Sequence, residues 1–105
     1  MAATATHLAE PRPADIRVEA VLAALSDPVR LSIVRTLAAG DGESRPCGSF
    51  GLAVSKSTAS HHFRVLREAG VIRQHDEGRH RMTELRRAEV DARFPGLLDS
   101  VVAAV

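Results

Sequence analysis

Residues 55–70, SKSTASHHFRVLREAG, decide how the rest of this chain is interpreted. On a helix, at about 100° per residue, this stretch separates into two faces. The apolar face, which can pack on a core, consists of Ala59, Phe63 and Leu66, with His62, Val65 and Ala69 at its edge. The opposite face is polar and cationic and carries Ser57, Ser60, His61, Arg64 and Arg67. Such a helix suits the DNA major groove, although an ordinary amphipathic surface helix has the same pattern.

Both ends of this helix are marked in the sequence. The hydroxyl of Ser55 can accept a hydrogen bond from the amide of Ser57 or Thr58, a capping contact worth about 1 kcal/mol. Gly70 stands where a helix commonly ends in the left-handed conformation. The pattern therefore predicts a helix over residues 55–69.

Composition bounds the size of the protein. The 105 residues allow one small domain, and the 45% of apolar residues are enough for a folded core. A chain of this size buries a limited fraction of its surface, so a partner chain would add stability. The net charge of +1 by itself neither favours nor excludes nucleic acid.

The distribution of charge says more than its total. Between Ser55 and Arg87 there are eight Lys or Arg residues against four acidic ones, whereas the remaining residues carry six basic and nine acidic side chains. Four of the five histidines also lie in the basic part. A chain with such a polarised field can bind phosphate from one side.

The number of cysteines and the N-terminal sequence indicate the cellular compartment. Cys47 is the one cysteine, so no intrachain disulfide can form. The N-terminal sequence MAATATHLAEPRPAD has neither the basic start nor the apolar run of a secretory signal. No apolar stretch approaches the ~18 residues that span a bilayer, and we expect a cytoplasmic protein.

The remaining patterns predict one domain over residues 15–105 behind a flexible N-terminal tail over residues 1–14. We expect a first helix over residues 15–25 capped by Asp15, and a second that begins at Pro28 after the cap Asp27. A short helix around residues 46–50 precedes the helix over 55–69. Two extended runs around Glu77 and Gly78 then predict a β-hairpin over residues 71–85, followed by helical patterns over 86–93 and 96–105. The expected fold is mainly α with a two-stranded β-hairpin, in the order α-α-α-α-β-β-α.

A short helix, a turn and a polar-faced helix predict a helix-turn-helix, and the hairpin after it, the wing, predicts the winged form. The sequence resembles the ArsR/SmtB family of small bacterial winged-helix repressors. The matching strings are LSDPVRLSIV (residues 25–34), SKSTASHHFRVLREAGVI (55–72) and EGR (77–79). The resemblance implies a homodimer, joined through its first and last helices, that represses transcription until an effector lowers its affinity for DNA. The apolar residues of those two helices exceed the need of one small core and also favour a dimer, which predicts an inverted-repeat operator.

The candidate DNA-binding residues fall into three groups by chemistry. We assign contacts with base edges to Ser57, Thr58, Ser60 and His61, and contacts with phosphates to Lys56 and Arg64. Arg79 and Arg81 on the hairpin are assigned to phosphate or the minor groove. His62 faces the core side and has a packed or phosphate-facing structural role, whereas Arg67 and Arg73 are expected to be solvated. Arg30 matches a family position, and its role is open between DNA and the fold.

The effector is harder to assign. Relatives that sense metals carry a Cys-x-Cys pair near the short third helix or Asp and His on the last helix, and this chain has neither. A cluster of His75, Asp76 and His80 is the weaker metal hypothesis, and we expect no metal and no other cofactor. Cys47 is either a small buried side chain or a redox switch beside the DNA-binding helix, and a metal-responsive repressor that uses Cys47 is a further alternative.

An enzyme and a protein-interaction module are the two alternative classes of function. An enzyme would need Cys47 or a serine as nucleophile with His61 or His62 as base, without a glycine-rich anion loop, so we expect no catalysis. A protein-interaction module that keeps the winged fold without binding DNA is the other alternative. The intact set of polar residues on the helix argues against it.

Overall fold

The computed structural model describes residues 6–104 and contains five helices of at least seven residues over that range. They are α1 (Val18–Leu25), α2 (Pro28–Ala39), α3 (Lys56–Ala69), α4 (Arg87–Arg93) and α5 (Leu97–Ala103). The short helix expected around residues 46–50 is a single 3-10 turn, Cys47–Phe50. No helix of the described residues is long and apolar enough to cross a membrane.

A small antiparallel sheet lies beside the helices. The expected hairpin is present as β3 (Ile72–Glu77) and β4 (His80–Leu85). Two short strands extend it, β1 (Thr6–His7) on β3 and β2 (Arg45–Pro46) on β4, giving the order β1-β3-β4-β2. The expectation of a two-stranded hairpin was therefore incomplete. Each outer strand of a lone hairpin leaves backbone groups unpaired, and two-residue segments can pair with them without any alternation in the sequence.

The first helix begins later than expected. The structure has a 3-10 turn at Pro13–Asp15 and starts α1 at Val18, with no side-chain cap at Arg17. Asp15 does not cap α1, because its carboxylate accepts a hydrogen bond from Nε of Arg12 at 3.0 Å. Asp27, in contrast, caps α2 as expected, and its side chain accepts from the amides of Val29 and Arg30.

The sequence predicts a flexible tail over residues 1–14. In the structure, residues 6–14 instead contact the rest of the fold, whereas residues 1–5 lie outside the described residues. We call residues 6–12 the N-terminal strap. The amide of Leu8 donates to the carbonyl of Gln74 at 3.0 Å, and the carbonyls of Ala9 and Pro11 accept from arginine side chains. These contacts use backbone groups of the strap, so its sequence needs no periodicity to make them.

The core lies between the helices and the sheet and is built from aliphatic side chains with one phenylalanine. Its fully covered members are Ile16, Val21, Ile33, Val34, Leu66, Val71, Ile72, Val90 and Leu98. Helix α3 packs against α1, α2 and β3. This packing holds one side of α3 against the core and leaves the other side outward.

Candidate nucleic-acid interface

Helix α3 has the ends that the sequence predicts. The hydroxyl of Ser55 accepts from the amide of Thr58 at 3.2 Å, and Gly70 has a left-handed φ of 88°. The 14 residues between them form a rod about 21 Å long. Such a rod fits a major groove about 12 Å wide.

The two faces of α3 also agree with the helical pattern. His62, Phe63, Leu66 and Ala69 are buried. Exposed side chains form a row on the opposite side, namely Ser57, Ser60, His61, Arg64 and Glu68. The row begins at the N-terminus of α3, where Lys56 and the free amides of the first turn add positive potential.

His62 and Arg30 belong to the fold rather than to this exposed row. The His62 ring is 8% exposed, and its Nδ1 lies 3.2 Å from Nη1 of Arg30. Since a guanidinium only donates, Nδ1 acts as the acceptor. Arg30 also donates from Nε to the carbonyl of Ala24, the last turn of α1, at 2.6 Å. The pair thus anchors α3 to the corner between α1 and α2.

The same corner perturbs Asp27. The backbone amide of Arg30, followed by that of Val29, stabilises its carboxylate and holds the pKa of Asp27 below its ordinary value. The carboxylate lies 3.9 Å from Nδ1 of His62. The N-terminal cap of α2 and the buried side of α3 are therefore joined by one polar cluster.

On the outer face, polar contacts are local and exposed. Nη2 of Arg64 lies 3.2 Å from Nδ1 of His61, and Nε of Arg64 lies 3.6 Å from Glu68. Exposed pairs of this kind contribute little and can exchange partners at low cost. His61 and Arg64 therefore remain available to a ligand on this face.

The structure distinguishes the two arginines that the sequence assigned to the hairpin. Arg81 donates from Nε and Nη2 to the carboxylate of Asp76 at 2.8 and 3.2 Å. This pairing raises the pKa of Arg81 and lowers the pKa of Asp76. Arg79 stands in the exposed turn after Gly78 and has no hydrogen-bond or ion-pair partner among residues 6–104.

A buried polar network links α3 to the hairpin, and sequence reasoning missed it. Arg67, expected to be solvated, donates from Nη1 to Oε1 of Gln74 at 2.7 Å and from Nε to the carbonyl of Ala9 at 3.2 Å. Nε2 of the fully buried Gln74 lies 3.0 Å from Oγ1 of Thr83 and 3.2 Å from Sγ of Cys47. The available signal was the alternation of β3, which places Gln74 on the same inward face as Ile72.

Arg73 and Arg86 are also held inside the fold. Arg73 bridges Glu10 of the strap at 2.9 Å and Glu89 of α4 at 2.6 Å. Arg86, 3% exposed, pairs with Glu89 at 2.7 Å and donates to the carbonyl of Pro11. These arginines, first Arg86 and then Arg73, lower the pKa of Glu89. Much of the excess positive charge counted in the sequence is therefore neutralised by ion pairs within the protein.

The other candidate constellations are not assembled. Cys47 contacts Gln74 and Thr83, while His61 and His62 contact arginines, so within residues 6–104 neither histidine shares a side-chain hydrogen bond with Cys47 or a serine. Asp76 is bound to Arg81. Among residues 6–104 no group of three His, Cys, Asp or Glu side chains could hold a metal ion.

A polar-faced helix held across two others, with a hairpin directly after it, defines a helix-turn-helix domain and is consistent with the winged form. Comparison with known families agrees, because a helix-turn-helix domain model matches residues 25–75. The chain is also 37% identical over 83 residues to the uncharacterized HTH-type transcriptional regulator YceK of Bacillus subtilis (strain 168). The match covers 77% of this chain and 82% of that relative. The chain belongs to the helix-turn-helix family of transcriptional regulators.

Proposed function

We propose that this protein is a dimeric transcriptional repressor of the ArsR/SmtB type that binds an inverted-repeat operator and is released by an effector. The observation that carries the proposal is the exposed row on α3 beside an outward hairpin. In it, Ser57, Ser60 and His61 approach base edges, and Thr58 does so from the flank of the row. Lys56, Arg64 and Arg79 hold phosphates, and Arg81 joins them only by leaving Asp76.

The dimer is supported by apolar surface on the first and last helices. Val18 is 39% exposed and Leu22 is 47% exposed on α1, although both are large apolar residues. On α5, Val101 and Val102 are only partly buried. A twofold axis that covers these residues presents two copies of α3 to one side of a duplex. Leu22→Glu is expected to shift the molecular mass measured by light scattering from two chains to one.

The decisive experiment is selection of bound duplexes from random DNA, followed by binding measurements on the selected sequence. An inverted repeat is expected, with half-sites one or two helical turns apart, about 10 or 20 base pairs. Selection that yields no enriched sequence, or a single unrepeated site, would contradict the proposal. A transcription assay on a template carrying the operator then separates repression from activation.

Base contacts are tested with paired variants. Ser60→Ala and His61→Ala are expected to relax preference at particular base pairs by about fivefold, since one hydrogen bond is worth ~1 kcal/mol. Ser100→Ala, at an exposed serine on α5, is the matched control and is expected to leave the preference unchanged. Equal loss on all sequences for Ser60→Ala would place this residue on phosphate instead.

A second candidate concerns the releasing signal. Sγ of Cys47 is within 3.2 Å of both Gln74 and Thr83, and Gln74 is bound to Arg67 of α3. Hydrogen peroxide, which converts the thiol to a sulfenic acid with water as the other product, would add an oxygen atom to this packed network. Cys47→Ser is expected to bind DNA and lose the response to peroxide. A response equal to that of the parent protein would exclude this signal.

A further inference from the structure

A cavity of about 550 Å³ is lined on one side by α3 and on another by the β3–β4 hairpin. Its volume lies in the range of small-molecule sites, about 300–1,000 Å³. Cys47 and Gln74 form its deep end, Ala59 and Phe63 line the side of α3, and Arg79 stands on the opposite side in the hairpin turn. The space is thus bounded by three different elements of the fold rather than by one loop.

The charges around the cavity favour an anion. Lys56, Arg67, Arg79 and Arg81 line it, against a single carboxylate, Asp76. Asp76 is bound to Arg81, and Arg67 is held by Gln74 and the strap. Lys56 and Arg79 are the lining arginine and lysine side chains that have neither an ion-pair nor a side-chain hydrogen-bond partner in the part of the chain that the structure describes. They stand on different elements, α3 and the hairpin, and both line the same space.

The rest of the lining favours a ligand whose anionic group is attached to an apolar body. Ala59 and Phe63 supply apolar surface, and a Cβ placed on Gly48, another lining residue, would meet nothing within 4 Å. The buried polar groups at the deep end are already satisfied, because both ends of the Gln74 amide have partners. A bare inorganic ion would leave most of the volume and all of this apolar surface unused.

We propose that this cavity binds a small organic anion in which an aromatic or other apolar body carries a phosphate, sulfonate or carboxylate group. The bound anion occupies Lys56 and Arg79 and fills the space beside Ser60, all of which the proposed DNA face also uses. The ligand in the cavity and DNA on this face therefore cannot be bound at the same time. The competition rests on the proposed function, whereas ligand binding does not.

Ligand binding is tested without DNA, with phenyl phosphate as the probe and NMR amide shifts of the whole chain as the readout. Saturable shifts are expected at Ala59, Phe63 and the side-chain amide of Gln74. Inorganic phosphate and phenol are the matched controls, and each is expected to bind at least about tenfold more weakly because it uses only one part of the site. Absence of these shifts, or equal affinity for inorganic phosphate, overturns the proposal.

Variants locate the bound probe. Lys56→Ala combined with Arg79→Ala is expected to weaken phenyl phosphate by at least about tenfold, and Arg93→Ala, at an exposed arginine of α4, is expected to have no effect. Gly48→Leu adds an apolar side chain at a lining residue without removing charge and is expected to weaken binding of the probe similarly. Both losses count only for variants whose circular dichroism and melting match the parent protein. If folded Gly48→Leu binds the probe as the parent does, the site is not this cavity.

Competition is measured by the fluorescence anisotropy of a labelled duplex. Phenyl phosphate is expected to displace the duplex from the parent protein, whereas phenol at the same concentration is not. A protein that binds the probe but no duplex refutes the DNA role and leaves the cavity site in place. A protein that binds the duplex but not the probe refutes the cavity site. Binding of both at once refutes the competition.

Discussion

Arg79 and Arg81 lie two residues apart on the hairpin, and exchanging each for alanine tests whether the structure separates their roles correctly. Arg79 stands in the exposed turn, whereas Arg81 makes two hydrogen bonds to Asp76 at 2.8 and 3.2 Å. To contact a phosphate, Arg81 must first give up this pair. Arg79 needs no such exchange.

The size of the effect follows from counterion release. Each phosphate contact contributes about 0.9 to the slope of log K against log salt concentration. A dimer that places two hairpins on a duplex therefore loses nearly two units of slope in Arg79→Ala. Arg81→Ala is expected to lose well under one unit, because its charge is already neutralised by Asp76.

The assay is fluorescence anisotropy of a labelled duplex at salt concentrations from about 50 to 400 mM, a range over which the slope is well defined. Arg79→Lys keeps the charge and is expected to retain the slope, and Arg93→Ala serves as the remote arginine control. Equal losses of slope in the two alanine variants would show that the Asp76 pair opens on DNA. An unchanged slope in Arg79→Ala would remove the hairpin turn from the interface.

Three further predictions concern stability, each read from urea unfolding followed by circular dichroism. Gly70→Ala is expected to cost about 2–4 kcal/mol, since its φ is 88° and a Cβ there would lie 2.6 Å from a core side-chain carbon. The control Gly51→Ala, at a φ of 64° with open space around it, should cost only about 1 kcal/mol, and equal costs would contradict the close approach at Gly70. Gln74→Leu is expected to cost about 1–3 kcal/mol because its buried partners are left unsatisfied, and a neutral result would mean that the network is not required. The lowered pKa values of Asp27 and Glu89 stabilise the folded state above the pKa values of the unfolded chain, about 4, and this stabilisation is lost as the pH falls through the folded values. Glu89→Gln is expected to reduce the loss of unfolding free energy at low pH, and an unchanged pH profile would contradict the contribution of Glu89.

Local patterns in the sequence predicted most of the DNA-binding helix and its neighbours. Ser55 and Gly70 mark the ends of α3, Asp27 marks the start of α2, and the glycine turn at Gly78 marks the hairpin. Caps, turns and helical periodicity depend on residues within a few positions of each other, so the sequence alone contains the information. The same holds for the exposed row on α3, because the apolar face determines which side is outward.

The N-terminal strap and the true start of α1 could not be predicted in this way. Asp15 has the chemistry of a cap, but its carboxylate pairs with Arg12, and the strap is held by backbone groups that any sequence carries together with the Arg73–Glu10 ion pair. The Arg12–Asp15 pair is local, whereas the strap is positioned by tertiary contacts that local propensity does not encode. Only the folded chain shows which competing partner an ionic side chain meets.

The sequence by itself determined that residues 55–70 form a helix with one buried and one polar face, that a hairpin follows, and that the pair suits DNA. The tertiary structure decided which cations remain free to act there. Arg73, Arg81 and Arg86 form ion pairs and Arg67 donates hydrogen bonds within the protein, whereas the side chains of Lys56 and Arg79 have no such partner among residues 6–104. The physical reason is that charge is counted along the chain, but ion pairs form between groups brought together by folding, such as Arg73 with Glu10.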